Sequence, residues 1–190
     1  MATTTLKNTT VIQYVTIAST GNAADFGNLT DGRRNVGGVS SPTRAVFAGG
    51  RDNTPASDTE KNILDYVTIA STGNAKDFGD AIFVGNYSCA MNSPTRGIKA
   101  GGRAPSSVVQ NSIEYITTAT LGNTQDFGDM AYTNNRDGAS GASKTRGIVG
   151  AGGDPYSSPY PKTNQINFVE ISTTANATDF GDLSQSRNHM

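Results

Sequence analysis

The sequence predicts an all-β fold assembled from repeated units of about fifty residues, and three sets of internal copies carry that expectation. NAADFGN at 22–28 returns as NAKDFGD at 74–80, NTQDFGD at 123–129 and NATDFGD at 176–182, so that Phe26, Phe78, Phe127 and Phe180 stand 52, 49 and 53 residues apart. SPTRAVFAGG at 41–50, SPTRGIKAGG at 93–102 and SKTRGIVGAGG at 143–153 keep the same step, with Arg44, Arg96 and Arg146 separated by 52 and 50. YVTIASTGN at 14–22 recurs unchanged at 66–74, then as YITTATLGN at 115–123 and FVEISTTAN at 168–176. A period of this length belongs to solenoids, arrays and propellers.

Each unit contains short runs of Val, Ile, Thr and Tyr broken by Gly, Pro, Asn and Ser, which is strand-and-turn chemistry without a helical period. The middle unit reads NYSCAM as strand a, NSP as a turn and TRGIKAGG as strand b. A longer loop leads to SIEYITTAT as strand c, an LGN turn and TQDFGDM as strand d. Four short antiparallel strands per unit make the blade of a β-propeller. The whole chain, 1–190, reads as a single repeat domain: a c–d half blade at 11–30, blades at 33–82, 86–130 and 136–183, and the start of a further blade at 184–190. That is about three and a half blades. Propellers close with about 4 to 8, so the chain is expected to be part of a longer repeat protein or to have its ends completed by neighbouring subunits.

TRGIKAGG followed by a loop and IEYITTAT resembles the kelch pattern, in which one strand ends in a Gly pair and a later strand carries a Tyr. Kelch blades usually carry a Trp in the last strand. This chain has no Trp, and Phe78, Phe127 and Phe180 take its place. The joined segment YVTIASTGN and DFGD also resembles tandem repeats in structural proteins of marine bacteriophages, including tail- and fibre-associated proteins of cyanophages. The resemblance implies a kelch-like β-propeller in a virion.

Composition narrows the chemistry. The 190 residues carry a formal net charge of -1, leaving no basic field for a nucleic-acid backbone or an anionic membrane surface. MATTTLKNTT lacks the apolar core of a signal peptide, and no run approaches the roughly 20 apolar residues of a membrane helix. Cys89 and His189 are the only residues of their types, so an intrachain disulfide and a zinc site built from a Cys/His cluster are excluded, and a Ser-His-Asp triad or Cys-His dyad would have to draw on His189 in the second-to-last position, where chain ends are usually mobile. No cofactor and no metal are expected.

The repeated triplet Asp-Phe-Gly holds magnesium in protein kinases, but there it occurs once, beside a glycine-rich loop and a strand lysine that this chain lacks. Four copies at regular spacing read as architecture. Phe fits the half-buried surface of a strand, and the adjacent Gly lets neighbouring backbone approach. Burying each Phe contributes about 1.5 to 3 kcal/mol. The Asp of each motif and the Arg of each TR pair recur together, which suggests a charge-assisted contact or a solvated pair. The pairs Asp77/Asp80, Asp126/Asp129 and Asp179/Asp182 invite calcium, but Asn28 breaks the pattern and no EF-hand loop is present. The Gly pairs 49–50, 101–102 and 152–153 have no following helix to cradle a phosphate, and read as strand ends needing positive φ or close packing.

The a–b and c–d turns hardly vary between copies. The b–c and d–a loops vary strongly, as at 51–62, 103–112 and 154–165. Divergent loops on a constant scaffold are where binding specificity resides. Aromatic and Arg side chains dominate hot spots, which singles out Tyr156, Tyr160, Arg103, Phe83 and Tyr132. The expected function is that of a non-enzymatic virion component, a tail, fibre or capsid-surface protein made in the host cytoplasm. Its partners would be other virion proteins or copies of itself, and a host surface glycan or receptor. The alternatives are a bacterial kelch-like protein-interaction module and a carbohydrate-active propeller enzyme using two carboxylates.

Overall fold

The computed structural model describes residues 9–52, 59–132, 138–153 and 162–187. Strands β1 (Val11–Tyr14) and β2 (Ala24–Asn28) form a two-stranded antiparallel sheet. Three four-stranded sheets follow in chain order. The second holds β3 (Gly37–Ser40), β4 (Arg44–Ala48), β5 (Ile63–Thr68) and β6 (Lys76–Asp80). The third holds β7 (Cys89–Asn92), β8 (Arg96–Arg103), β9 (Val109–Thr117) and β10 (Gln125–Asp129). The fourth holds β11 (Ala139–Ala142), β12 (Arg146–Gly150), β13 (Thr163–Glu170) and β14 (Thr178–Arg187). Every pairing is antiparallel between strands adjacent in sequence, so each sheet is a meander. Among the described residues no helix is long and apolar enough to cross a membrane.

The turns between the first two strands of each four-stranded sheet are set by a serine. Ser41 Oγ accepts from the backbone N–H of Arg44 at 3.1 Å, Ser93 Oγ from Arg96 at 3.1 Å and Ser143 Oγ from Arg146 at 3.0 Å. In each case the serine N–H donates back to the arginine carbonyl, closing the hairpin. These turns therefore keep their sequence for a local reason.

The Asp-Phe-Gly motif is a β-bulge. Leu64 faces Gly79 while Asp65 faces Asp77, which leaves Phe78 as the extra residue of β6, and the same count leaves Phe26, Phe127 and Phe180 unpaired in β2, β10 and β14. A bulge re-aims the side chain of the inserted residue. The glycine completes it, with φ of 150°, 145°, 141° and 132° at Gly27, Gly79, Gly128 and Gly181. Asp77 and Asp179 hold the bend by accepting from the N–H two residues on, at 3.1 and 3.0 Å.

Three cores result, one at each junction between consecutive sheets. Phe26 is buried with Val67 and Ala75 at the first, Phe78 with Val39, Val46 and Ile116 at the second, and Phe127 with Met91, Val149, Val169 and Ala177 at the third. Phe180 departs from the expectation that all four Phe residues bury: it is 55% exposed, against 9%, 3% and 3% for Phe26, Phe78 and Phe127. The motif is present, but no described sheet follows to cover it. Residues 184–187 also differ from the expected start of a further unit, because they continue β14, where Arg187 pairs with Thr163.

Candidate functional site

The repeated residues converge on the sheet junctions, where one set of contacts is made three times. The N–H groups of Asn28, Asp80 and Asp129 donate to Oδ1 of Asn74, Asn123 and Asn176 in the following sheet, at 3.0, 2.9 and 3.0 Å. The carbonyls of the same three residues accept from the N–H of Ala75, Thr124 and Ala177, at 2.8, 2.9 and 2.8 Å. The bulge glycine lies directly under the turn of the next sheet. A Cβ on Gly27 would stand 2.2 Å from the Gly73 carbonyl oxygen, one on Gly79 2.5 Å from Gly122, and one on Gly128 2.6 Å from Ala175. Glycine is required there by neighbouring backbone as well as by φ.

Arginine supplies the second clamp, and its partner differs from the one the sequence suggests. Arg44 Nη1 donates to the carbonyls of Thr118 and Ala119, and Arg96 Nη1 to that of Ile171, each reaching the next sheet at 2.9 to 3.0 Å. The motif aspartates are not the partners. Each guanidinium also lies over an aromatic ring of its own sheet, Arg44 over Tyr66, Arg96 over Tyr115 and Arg146 over Phe168. Those rings meet the bulge phenylalanines edge to face, at 5.9 Å for Tyr66 and Phe78 and 6.0 Å for Tyr115 and Phe127. Arg, Tyr and Phe thus form a ladder across three strands, each step contributing about 0.5 to 1.5 kcal/mol beyond burial.

Two buried ion pairs went unread in the sequence. Arg33 Nη1 lies 2.8 Å from Asp65 with both side chains fully buried, and Lys99 Nζ lies 2.9 Å from Glu114. Asp65 also takes the hydroxyl and N–H of Thr30, and Glu114 takes the N–H of Ile82 and Phe83 and the hydroxyl of Thr124. Asn167 does the same for the N–H of Ala131 at 3.2 Å. One acceptor position per four-stranded sheet, just before the aromatic of the third strand, therefore caps the loop arriving from the sheet before. The signal was an acid inside an apolar strand, since Asp and Glu are seldom fully buried unless paired.

The predicted contact residues are placed unequally. Phe83 is 36% exposed, and its carbonyl accepts from Lys99 Nζ at 3.2 Å. Tyr132 is half-buried. Arg103 is not a surface residue: β8 extends to it, it is buried, and its Nη1 lies 3.6 Å from the buried Glu60 carboxylate. Tyr156 and Tyr160 lie outside the described residues. Phe83 and Arg103 do share a region, because the Asn86 N–H donates to the Arg103 carbonyl at 3.0 Å. On the opposite, invariant-turn side, an open depression of about 540 Å³ is lined by the three serine turns and Lys144. Its central serines, Ser41, Ser93 and Ser143, are turned onto their own backbone. Cys89 is buried, with its thiol donating to the Gly138 carbonyl, and no group of three or more His, Cys, Asp or Glu among the described residues is placed to hold a metal.

No family model and no curated protein matches the sequence. Solved structures do. The structure of YjhT superposes with a TM-score of 0.69 over 88% of this chain at 10% identity. The chain spans 60% of the length of that protein. At this identity the likeness is one of fold, and a fold by itself selects no activity.

Proposed function

We propose that the chain is a non-enzymatic structural component of a bacteriophage virion, a tail, fibre or capsid-surface protein that displays a kelch-like β-propeller. In this reading the four sheets are consecutive blades and the chain supplies about three and a half of them. The meander order of every sheet supports it, as does the contact of β3 with β7 and of β7 with β11, which sets the first strands side by side as around a common axis.

The observation that carries the functional half is where the repeat spends its constant residues. Phe26, Phe78 and Phe127 with the glycines beside them, Asn74, Asn123 and Asn176, and Arg44 and Arg96 all hold one sheet to the next. A chain whose repeated chemistry is consumed in cohesion is a scaffold, and its variable loops, which carry Phe83 and Tyr132, are where it would meet a host glycan or another particle protein. The resemblance of YVTIASTGN and DFGD to phage tandem repeats is what supports a virion as the setting. Mass spectrometry of purified particles from an infection that expresses this chain tests the assignment. Its peptides should copurify with the particle through a density gradient, and their absence there would remove the virion from the proposal.

A further inference from the structure

The internal junctions define two complementary faces, and the described structure leaves one of each uncovered. The donor face carries the bulge. In the fourth sheet it consists of Phe180, Gly181 and Asp182, together with Arg146 and Ile148. Ile148 is 40% exposed, whereas its counterparts Val46 and Ile98 are 0% exposed. A Cβ on Gly181 would meet nothing within 4 Å, although φ there is +132° as in the buried copies. Arg146 is turned to Glu170 of its own sheet, at 2.7 Å, where Arg44 and Arg96 reach across a junction.

The acceptor face carries the strand before the turn and the Asn after it. In the first sheet it consists of Val15, Ile17, Asn22 and Ala23, on the connection between β1 and β2. Val15 is 58% exposed, whereas its counterparts Val67, Ile116 and Val169 are 5 to 6% exposed in the three cores. Asn22 is the counterpart of Asn74, Asn123 and Asn176, and Ala23 that of the buried Ala75 and Ala177. Both Asn22 and Ala23 are exposed.

The geometry points to a head-to-tail interface in which the Phe180 face of one copy of this chain receives the Val15–Asn22–Ala23 face of a second copy, reproducing the internal junction between chains. The Asp182 N–H then meets Asn22 Oδ1, the Asp182 carbonyl meets the Ala23 N–H, and the Arg146 guanidinium meets the Ile17 carbonyl. One variation fits the pairing. Val39 and Met91 press so closely on Gly97 and Gly147 that a Cβ there would lie 2.5 and 2.1 Å from them. Their counterpart in the fourth sheet is Gly141, which offers no such knob. The β1–β2 sheet needs none, having no counterpart of β8 or β12 among the described residues. Because the two faces differ, the contact is heterologous and propagates into a ring or a filament. The inference rests on the repeat scaffold of the proposed function and not on its place in a virion. Failure to find the chain in particles would leave the interface standing.

Sedimentation velocity on the purified chain, with circular dichroism to confirm folding, tests it. The native chain should exceed its 19.8 kDa monomer mass at concentrations up to about 100 μM. Ala23→Arg on one face and Phe180→Asp on the other should each abolish association, because each blocks one half of the contact. Val15→Lys stands in for Ala23→Arg if the latter misfolds. A mixture of Ala23→Arg and Phe180→Asp chains retains one good face on each partner, and should form a capped 1:1 dimer that neither forms alone. Asn22→Ala should weaken association about tenfold through loss of one acceptor. A native chain that stays monomeric, variants that associate like the native chain, or a mixture that remains monomeric would each overturn the interface.

Discussion

The second sheet and the fourth carry the same three signatures and bury them differently. Phe78, Gly79 and Arg44 are enclosed by the sheet that follows them, while Phe180, Gly181 and Arg146 have the same backbone conformation and stacking partners on an open face. Asp179 still closes its bulge and Phe180 still meets Phe168 edge to face at 5.9 Å. The shape of the motif is therefore a property of the sheet that contains it. Its energetic weight belongs to the junction, since apolar area contributes only when a neighbour removes it from water.

That separation can be broken most sharply at the phenylalanines. Phe78→Ala and Phe127→Ala should each lower unfolding stability by about 3 to 5 kcal/mol, as large-to-small changes in a closed core do. Phe180→Ala in the dilute chain should cost under about 1 kcal/mol, because its side chain is mostly in water. Urea melts of the three variants decide it, and equal losses at Phe127 and Phe180 would mean that motif, not junction, sets the weight.

The glycines give the next largest contrast. Gly128→Ala combines a positive φ with a Cβ 2.6 Å from the Ala175 backbone, so about 3 kcal/mol of destabilisation is expected. Gly181→Ala keeps only the φ penalty, about 1 kcal/mol. The arginines follow. Arg96→Ala loses a charged hydrogen bond to the Ile171 carbonyl and its ring contact, about 2 kcal/mol, whereas Arg146→Ala loses an exposed pair with Glu170 and should cost under about 1 kcal/mol. Chemical denaturation of both pairs reads the differences directly.

The smallest expected effect has the opposite sign. Gly49, the residue after β4, and Gly101, which the β8–β9 register skips between Ala100 and Gly102, have φ of 62° and 59°. In the fourth sheet the aligned residue is Ala151, at φ 60°, so the positive-φ pair there is 151–152 where the sequence pattern suggested the Gly pair 152–153. Ala151→Gly should raise stability by up to about 1 kcal/mol by relieving a left-handed alanine. A lowered melting temperature would show that Cβ packing outweighs the backbone term.

Much of this was legible because it repeats. The period located the strands, and the Gly beside each Phe announced a close approach that Gly73, Gly122 and Ala175 supply. What a single strand of letters does not display is the partner when that partner is backbone. Arg44 and Arg96 looked like mates of the motif aspartates, since charge complementarity is visible in sequence and a carbonyl such as that of Ile171 is not. Arg103 reads as a loop residue because the Gly pair 101–102 reads as the end of a strand, yet β8 carries it inward to Glu60. Phe180 could not be ranked apart from Phe127 by its immediate neighbours, since both stand in DFGD and the difference lies in what packs on them.

The meander order has a consequence for how the molecule comes apart. Among the described residues each sheet pairs strands adjacent in the chain, and the main contacts between four-stranded sheets, β3 with β7 and β8 and β7 with β11 and β12, join consecutive ones, so the stability of the whole approximates a sum of unit terms and nearest-neighbour coupling terms. Under native conditions such an array frays from its ends. Amides of β8 and β9, in the sheet that among the described residues has a four-stranded neighbour on both sides, then exchange with deuterium last, while those of β1 and of the outer edge of β14 exchange first.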